Sequence, residues 1–185
     1  MALKSTIYKA VLQVSDMDRG HFGEHALTIA RHPSETDERM MVRLLAFALH
    51  AGDAPQFCKG LSDEDEPDLW QKDLTGAIRL WIDVGQPDER RLRKACGRAQ
   101  QVFVYAYSGQ GAGLWWKQIE GKLERLRNIT VVNLPAGAGP ALAGLAERNM
   151  RLQCTIQEGH VWLSSAAQTV QVELQVLQRS LVPSS

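Results

Sequence analysis

The sequence has few cysteines, no excess of charge of either sign and no long hydrophobic run. Its three cysteines, Cys58, Cys96 and Cys154, are far apart and form no CxxC pair, so the sequence indicates neither a disulfide framework nor a zinc knuckle. Lysine and arginine total 21, as do aspartate and glutamate, and this balance lacks the basic excess typical of nucleic-acid or membrane-surface binding. A local basic patch remains compatible with that balance.

No apolar run approaches the ~18 residues that are needed to cross a bilayer, and residues 1–13 alternate polar and apolar side chains rather than forming the apolar core of a signal peptide. We therefore expect a cytoplasmic protein that makes no membrane contact. The chain has 185 residues, of which 44% are hydrophobic and 23% are charged, as in an ordinary globular protein. We predict a single domain over residues 1–185.

The N-terminal part of the chain predicts a hairpin followed by a helix. Residues 6–14 and 22–31 read as two strands joined by a turn, and Ser34 is the predicted N-cap of the helix. At helical spacing, one apolar stripe contains Met40, Met41, Leu44, Leu45, Ala48 and Leu49, and the opposite face contains Arg39, Arg43 and His50. Glu38 falls on the buried side of this helix. A carboxylate there requires an ionic partner, a metal or an open cleft.

The rest of the chain alternates strands and helices. Predicted strands cover residues 68–72, 78–84, 101–107, 129–134, 150–156, 160–164 and 169–177, with a tight turn at Glu158 and Gly159, and predicted helices begin at Pro87, Leu114 and Pro140. Residues 60–67 form an acidic loop that is expected to be solvated surface. The alternation predicts an α/β or α+β domain in which a mixed β-sheet is flanked by helices, with antiparallel strands at both ends of the chain.

Three carboxylates are the candidate chemical groups. Asp68 follows Pro67 at the start of one strand, and Asp83 lies near the end of the next strand. Neighbouring strands can hold two such side chains next to each other, and Glu38 on the inward face of the preceding helix would supply a third acid. Hard cations such as Mg²⁺ favour sites of this kind, and a bound Mg²⁺ can activate water and stabilise the charge of a phosphate under attack.

The order helix acid, Pro-Asp and strand Asp-Val-Gly resembles the PD-(D/E)XK nuclease superfamily. Longer strings are similar to the bacterial YaeQ family: MALKSTIYKA at 1–10, ARHPSET at 30–36, LWIDVGQPDERR at 80–91, Trp115-Trp116 and LQCTIQ at 152–157. The resemblance implies a restriction-endonuclease-like core of helix, three strands, helix and strand. It also implies a nuclease-like phosphodiester-cleaving site with Mg²⁺ held by Glu38, Asp68 and Asp83.

The sequence departs from the superfamily pattern at one position. The third motif usually has a lysine two residues after the strand acid, and Gly85 occupies that place. Gln86 could orient a water there, and Lys94 in the following helix could supply the charge; Lys72 is a weaker candidate. Whether the protein is an enzyme therefore stays open at this stage.

The helix after Pro87 is basic, and Arg90, Arg91 and Lys94 are candidate phosphate contacts. The same helix could instead be an ordinary surface helix whose charges match its dipole. Three functional alternatives follow: a nuclease, a non-catalytic module that holds nucleic acid or a protein of the transcription or translation machinery, and a scaffold whose acids form a buried ion-pair network. The sequence leaves the oligomeric state open.

Overall fold

The computed structural model describes residues 4–59 and 63–184. These residues form two compact units, each with its own mixed β-sheet. The first unit contains the chain up to residue 54 and residues 137–174, and the second contains residues 55–136 and the chain from residue 175 onward. A single domain over residues 1–185 stays a prediction.

The secondary structure of the described residues comprises eleven strands and four α-helices. The strands are β1 Thr6–Asp16, β2 His21–Arg31, β3 Gln56–Phe57, β4 Leu69–Lys72, β5 Ile78–Val84, β6 Ala99–Ala106, β7 Ile129–Asn133, β8 Asn149–Gln157, β9 His160–Ser164, β10 Thr169–Glu173 and β11 Gln175–Gln178. The helices are α1 Asp37–Leu49, α2 Glu89–Arg98, α3 Gln110–Leu123 and α4 Ala138–Ala143, and Ala51–Asp53 form one 3₁₀ turn. None of these helices is long and apolar enough to cross a membrane.

The first unit is built on a five-stranded sheet in the order β10-β9-β8-β1-β2. Strand β1 pairs parallel to β8, and the other pairs are antiparallel. Alternate residues of β1, from Tyr8 to Val14, point into the core, while the residues between them are exposed or half-buried, as the period of a strand requires. The predicted turn at Glu158 and Gly159 is confirmed: both residues have positive φ, 52° and 76°, which suits a two-residue hairpin.

Helix α1 differs from its sequence-based prediction in two respects. Its N-cap is Thr36, whose Oγ1 accepts a hydrogen bond from the Arg39 N–H at 3.1 Å, whereas Ser34 hydrogen-bonds to the ring of His32. Arg43 and His50 were predicted to lie opposite the apolar stripe, but both are buried. Every residue from 40 to 49 is buried, so this helix has no solvent-facing side over its last ten residues.

The second unit is built on a six-stranded sheet in the order β11-β7-β6-β5-β4-β3. Strand β4 pairs antiparallel with β3 and β5, and β11 pairs antiparallel with β7. Strands β5, β6 and β7 are parallel and are connected through α2 and α3. Side chains of this sheet and of both helices form one core, which includes Trp81, Leu92, Val102, Trp115, Ile119, Leu123 and Val131. The predicted α+β class is confirmed, with two mixed sheets in place of one.

Several predicted bounds are wrong. Residues 169–177 form two strands in different sheets, because β10 pairs with β9 and β11 pairs with β7, and an alternating pattern does not specify the partner strand. Helix α3 begins at Gln110 rather than Leu114. Helix α2 begins at Glu89 rather than Pro87, and its N-cap is Asp88, whose side chain accepts a hydrogen bond from the Arg91 N–H.

Candidate functional site

Asp68 lies immediately before β4, and Asp83 lies on the adjacent antiparallel strand β5. Strand β4 pairs with β5 so that Leu69 faces Ile82, and the Asp68 N–H donates to the Ile82 carbonyl at 3.0 Å. Each aspartate is only 2% exposed. The structure therefore brings two of the three candidate acids together in a buried position.

Both carboxylates are held by directed hydrogen bonds. Asp68 Oδ2 accepts from the Val84 N–H at 2.8 Å. Asp83 accepts from the two sides of the Arg91 guanidinium, with Nε at 2.8 Å from Oδ2 and Nη2 at 2.9 Å from Oδ1. This forked arrangement is the strongest and most geometrically defined form of an arginine–carboxylate pair. Arg91 is placed for it by the first turns of α2, which begins at Glu89.

The electrostatics of Asp83 combine opposing effects. Burial raises the pKa of its carboxyl group, and the negative charge of Asp68 raises it further, while the hydrogen bonds and charge of Arg91 act in the opposite direction. The net direction is upward. A buried acid whose pKa is raised in this way is typical of functional sites and also occurs in structural ion-pair networks.

The acidic loop is bound to the basic helix α2 rather than being free in solvent as expected. Three cations of α2 contact it: Arg91 donates to the carbonyls of Glu64 and Glu66, Lys94 pairs with the Asp65 carboxylate, and Arg98 donates to the Asp65 carbonyl. Residues 60–62 of the predicted loop lie outside the described residues. The same helix that was proposed to contact phosphates thus holds an acidic segment of its own chain.

The remaining sequence-predicted residues of the second unit lie nearer the surface. The Lys94 side chain is 52% exposed, and its ammonium group contacts Asp65. Gln86 is exposed, and its Nε2 lies 3.3 Å from the position that a Cβ of Gly111 would take at the start of α3. Arg90 is also exposed. Lys72 places its ammonium 3.9 Å from the centre of the Trp70 ring.

Glu38 belongs to the first unit, where it lies against α4. An ideal Cβ built on Gly139 would fall 1.9 Å from its Oε1, so the Glu38 carboxylate occupies the space that a side chain at residue 139 would fill. Glu38 is half-buried. The absence of a side chain at Gly139 is therefore what allows Glu38 its observed position.

This contact predicts a coupling between Gly139 and Glu38. Alanine generally stabilises a helix by up to ~1 kcal/mol relative to glycine, and Gly113→Ala in α3, where nothing lies within 4 Å of the new Cβ, is expected to do so. Gly139→Ala should lose this gain because the Cβ displaces Glu38. Urea unfolding should show the gain restored in the Glu38→Ala background. Equal effects of Gly139→Ala in both backgrounds would contradict the contact.

Oxygen ligands of the kind that Mg²⁺ prefers are present in the Asp68–Asp83 pair. Across residues 4–59 and 63–184, no group of three or more His, Cys, Asp or Glu side chains is arranged so that it could hold a metal ion. The pair can therefore supply two carboxylates, and the other positions of a hydrated cation would have to be filled by water or by phosphate oxygens.

Comparison with known protein families identifies the family of this chain. The family model described as YaeQ protein matches residues 1–174 of the chain. The chain belongs to the YaeQ family. It is 48% identical over 179 residues to "Uncharacterized protein YaeQ" of Salmonella typhi and 44% identical to the protein of the same description in Escherichia coli K12. Each alignment covers 97% of this chain and 99% of the relative.

Two crystal structures of YaeQ proteins have the same fold. The structure from Xanthomonas axonopodis pv. citri is 50% identical, covers 94% of this chain and 98% of its own, and gives a TM-score of 0.91. The structure from Pseudomonas syringae is 37% identical, covers 96% and 98%, and gives a TM-score of 0.90. The resemblance to the bacterial YaeQ family is therefore confirmed over nearly the whole chain.

Sequence reasoning missed the partner of Asp83 in this YaeQ family member. Arg91 was considered only as a phosphate contact. A signal existed, because Asp83 and Arg91 flank a strand end and a helix start with Gly85, Gln86 and Pro87 between them, and such a short connection brings the first helical turn over the end of the strand. The complementary charges of the acidic loop and α2 were a second signal.

Proposed function

We propose that this YaeQ family member is a Mg²⁺-dependent phosphodiesterase of the nuclease type that acts on nucleic acid. The observation that carries the proposal is that Asp68 and Asp83 are both buried and lie close together, with Asp68 bonded to the residues on either side of Asp83. Mg²⁺ is commonly bound through one or two carboxylates, with waters and substrate phosphates completing the octahedron. When bound, the ion would lower the pKa of a water and neutralise charge on the phosphate.

The order of elements supports a restriction-endonuclease-like core. Helix α1 is followed by the antiparallel strands β3, β4 and β5, then by α2 and the parallel strand β6. This is the helix–strand–strand–strand–helix–strand sequence that the superfamily resemblance implies. Asp68 precedes the second of these strands and Asp83 lies on the third, where the acids of the resemblance fall.

The proposal requires Arg91 to leave Asp83, because its guanidinium contacts both carboxylate oxygens. Once released, Arg91 would face phosphate together with Arg90 and Lys94. In this proposal water and phosphate oxygens complete the metal site, Gln86 orients the attacking water, and Lys94 offsets charge after separation from Asp65. Each of these movements exchanges an intramolecular partner for a group of the substrate.

A second candidate function is a non-catalytic module that binds nucleic acid or a protein of the transcription or translation machinery. The forked contact between Arg91 and Asp83 favours it, since this contact occupies the oxygens that a metal would need. Gly85 in the position of the usual lysine favours it as well. In this alternative, the basic residues of α2 are the binding surface, and the acidic pair anchors Arg91.

Calorimetric titration with Mg²⁺ and Mn²⁺ tests the enzyme proposal. The comparison uses the wild type, Asp83→Asn, and Glu120→Gln as a control at an exposed acid of α3. We expect wild type and Glu120→Gln to bind alike and Asp83→Asn to bind at least about tenfold more weakly, as for loss of a group that fixes a metal. Cleavage of labelled DNA and RNA, single- and double-stranded, should then depend on metal and on Asp83.

Absence of metal binding by the wild type at millimolar concentrations would overturn the enzyme proposal. The module is then tested with the same oligonucleotides in the presence of EDTA, by fluorescence anisotropy. Binding that weakens in Arg90→Gln and falls steeply with salt would support phosphate contacts.

A further inference from the structure

The segment His21-Phe22-Gly23-Glu24-His25 in β2 places two histidines and a glycine on one face of the strand. Side chains two residues apart share a face, so His21, Gly23 and His25 point to the same side. His21 and His25 are separated by roughly 13 Å of extended backbone. Their rings nevertheless meet, with Nε2 to Nε2 at 3.0 Å and ring centroids 5.2 Å apart.

Gly23 lies beneath the point where the two rings meet. A Cβ at residue 23 would lie 3.5 Å from Nε2 of His21 and 3.7 Å from Nε2 of His25, so the two nitrogens lie directly above the bare glycine. Phe47 packs edge-on against the His25 ring, with centroids 5.3 Å apart and planes at 74°. A Cβ added at Gly52 would lie 3.6 Å from the Cβ of His21, so the Gly52 backbone is close to this side chain. The two histidine rings are therefore bordered by Gly23, Phe47 and Gly52 of the first unit.

We propose that His21 and His25 chelate a divalent transition-metal ion, of the class Cu²⁺, Ni²⁺ or Zn²⁺, through their Nε2 atoms. Imidazole nitrogens favour these ions. Two nitrogens at ~2.1 Å from one ion and on adjacent vertices of a square-planar or octahedral site are about 3 Å apart, which is the distance in this structure. The ion takes the place of the hydrogen bond between the rings.

Ion entry needs only local motion. The terminal torsion of histidine is broad, so each ring can turn to direct its lone pair at a common point. Both histidines are half-buried, which leaves the outer side of the pair open for water to complete the coordination sphere. The site differs from the Asp68–Asp83 pair in its donor atoms and lies in the other unit, so either proposal can fail without the other.

The cysteines are poor competitors for such an ion. Burial raises the pKa of Cys58 and of Cys154 to about 12 and that of Cys96 to about 11. The thiolate is the metal-binding form, and these thiols are protonated at neutral pH. Binding to the untagged protein should therefore report on histidine.

The test is a calorimetric titration of the untagged protein with Ni²⁺ and with Cu²⁺ in a non-coordinating buffer. We expect His21→Gln and His25→Gln each to weaken binding at least about tenfold. His160→Gln, which removes a histidine that stacks on Trp162, should leave it unchanged. Affinities of His21→Gln and His25→Gln that equal that of the wild type would overturn the proposal.

Two variants at Gly23 keep both histidines and test whether metal binding needs the space below the two nitrogens. Gly23→Ala places its Cβ in ordinary contact and should retain binding, whereas Gly23→Val fills the space below the nitrogens and should abolish it, while valine remains favourable in a strand. In the wild type, Cu²⁺ should broaden the ring-proton NMR signals of His21 and His25 before those of the other histidines. Earlier broadening of another histidine would overturn the assignment without any variant.

Discussion

Glu35→Gln is expected to lower the free energy of unfolding by about 3 to 5 kcal/mol, the range found when one partner of a buried ion pair is removed. The Glu35 side chain is 2% exposed and that of Arg43 is 5% exposed. Glu35 accepts two hydrogen bonds from Arg43, at 2.9 and 2.5 Å, and one from Arg39 at 2.6 Å. Glutamine keeps the shape of the side chain but removes the negative charge that these guanidinium groups face.

Asp37→Asn provides the matched control for Glu35→Gln. It breaks the Arg31–Asp37 pair, whose side chains are 28% and 46% exposed, and should cost less than about 1 kcal/mol because exposed pairs contribute little. Guanidinium chloride unfolding measures both variants. The double variant Glu35→Gln, Arg43→Met should recover part of the loss, since the buried charge is then gone. A cost of Glu35→Gln no larger than that of Asp37→Asn would contradict this account.

The Glu35–Arg43 pair also shows where sequence reasoning about α1 failed. Helical periodicity placed Arg43 on the face opposite the apolar stripe, and an arginine there is normally solvated. Its partner Glu35 lies eight residues earlier, before the helix begins, so no pattern within the helix reveals the pair. The burial of all residues from 40 to 49 comes from packing of distant segments, which local sequence does not encode.

Strands with strong alternation were predictable to within a few residues. Residues 78–84 and 160–164 were predicted as they occur in β5 and β9. The two-residue strand β3 was missed because Gln56 and Phe57 are too few to produce a period. The adjacency of Asp68 and Asp83 could be anticipated, because Asp68 directly precedes one strand, Asp83 lies on the next strand, and a short turn joins the two strands. Complementary charge favoured a contact between the acidic loop and α2, but the individual residue pairs could not be anticipated, because they depend on where an irregular segment crosses the helix.

Arg91→Met is expected to destabilise the protein by about 3 kcal/mol in metal-free buffer at pH 8, because it removes the cation that faces a buried carboxylate. The pKa of Asp83 is already raised by burial, and loss of Arg91 should raise it further. Below the unfolded-state pKa of aspartate, Asp83 is neutral in both states and the electrostatic part of the cost vanishes. As pH rises from the unfolded-state pKa through the higher folded-state pKa, the unfolded chain releases this proton more readily than the folded protein does, so stability falls. The loss should therefore be smaller at pH 5 than at pH 8.

The response of Arg91→Met to Mg²⁺ distinguishes the two candidate functions. If Asp68 and Asp83 bind the ion, the variant should gain more stability from Mg²⁺ than the wild type does, because no guanidinium competes for the oxygens of Asp83. A ligand at one hundred times its dissociation constant contributes about 2.7 kcal/mol, which would offset most of the loss. Adding Asp83→Asn to Arg91→Met should abolish the gain. Thermal unfolding with and without Mg²⁺ measures the gain in stability for each protein. An equal gain in the wild type and in Arg91→Met would identify the Arg91–Asp83 contact as structural and favour the binding module.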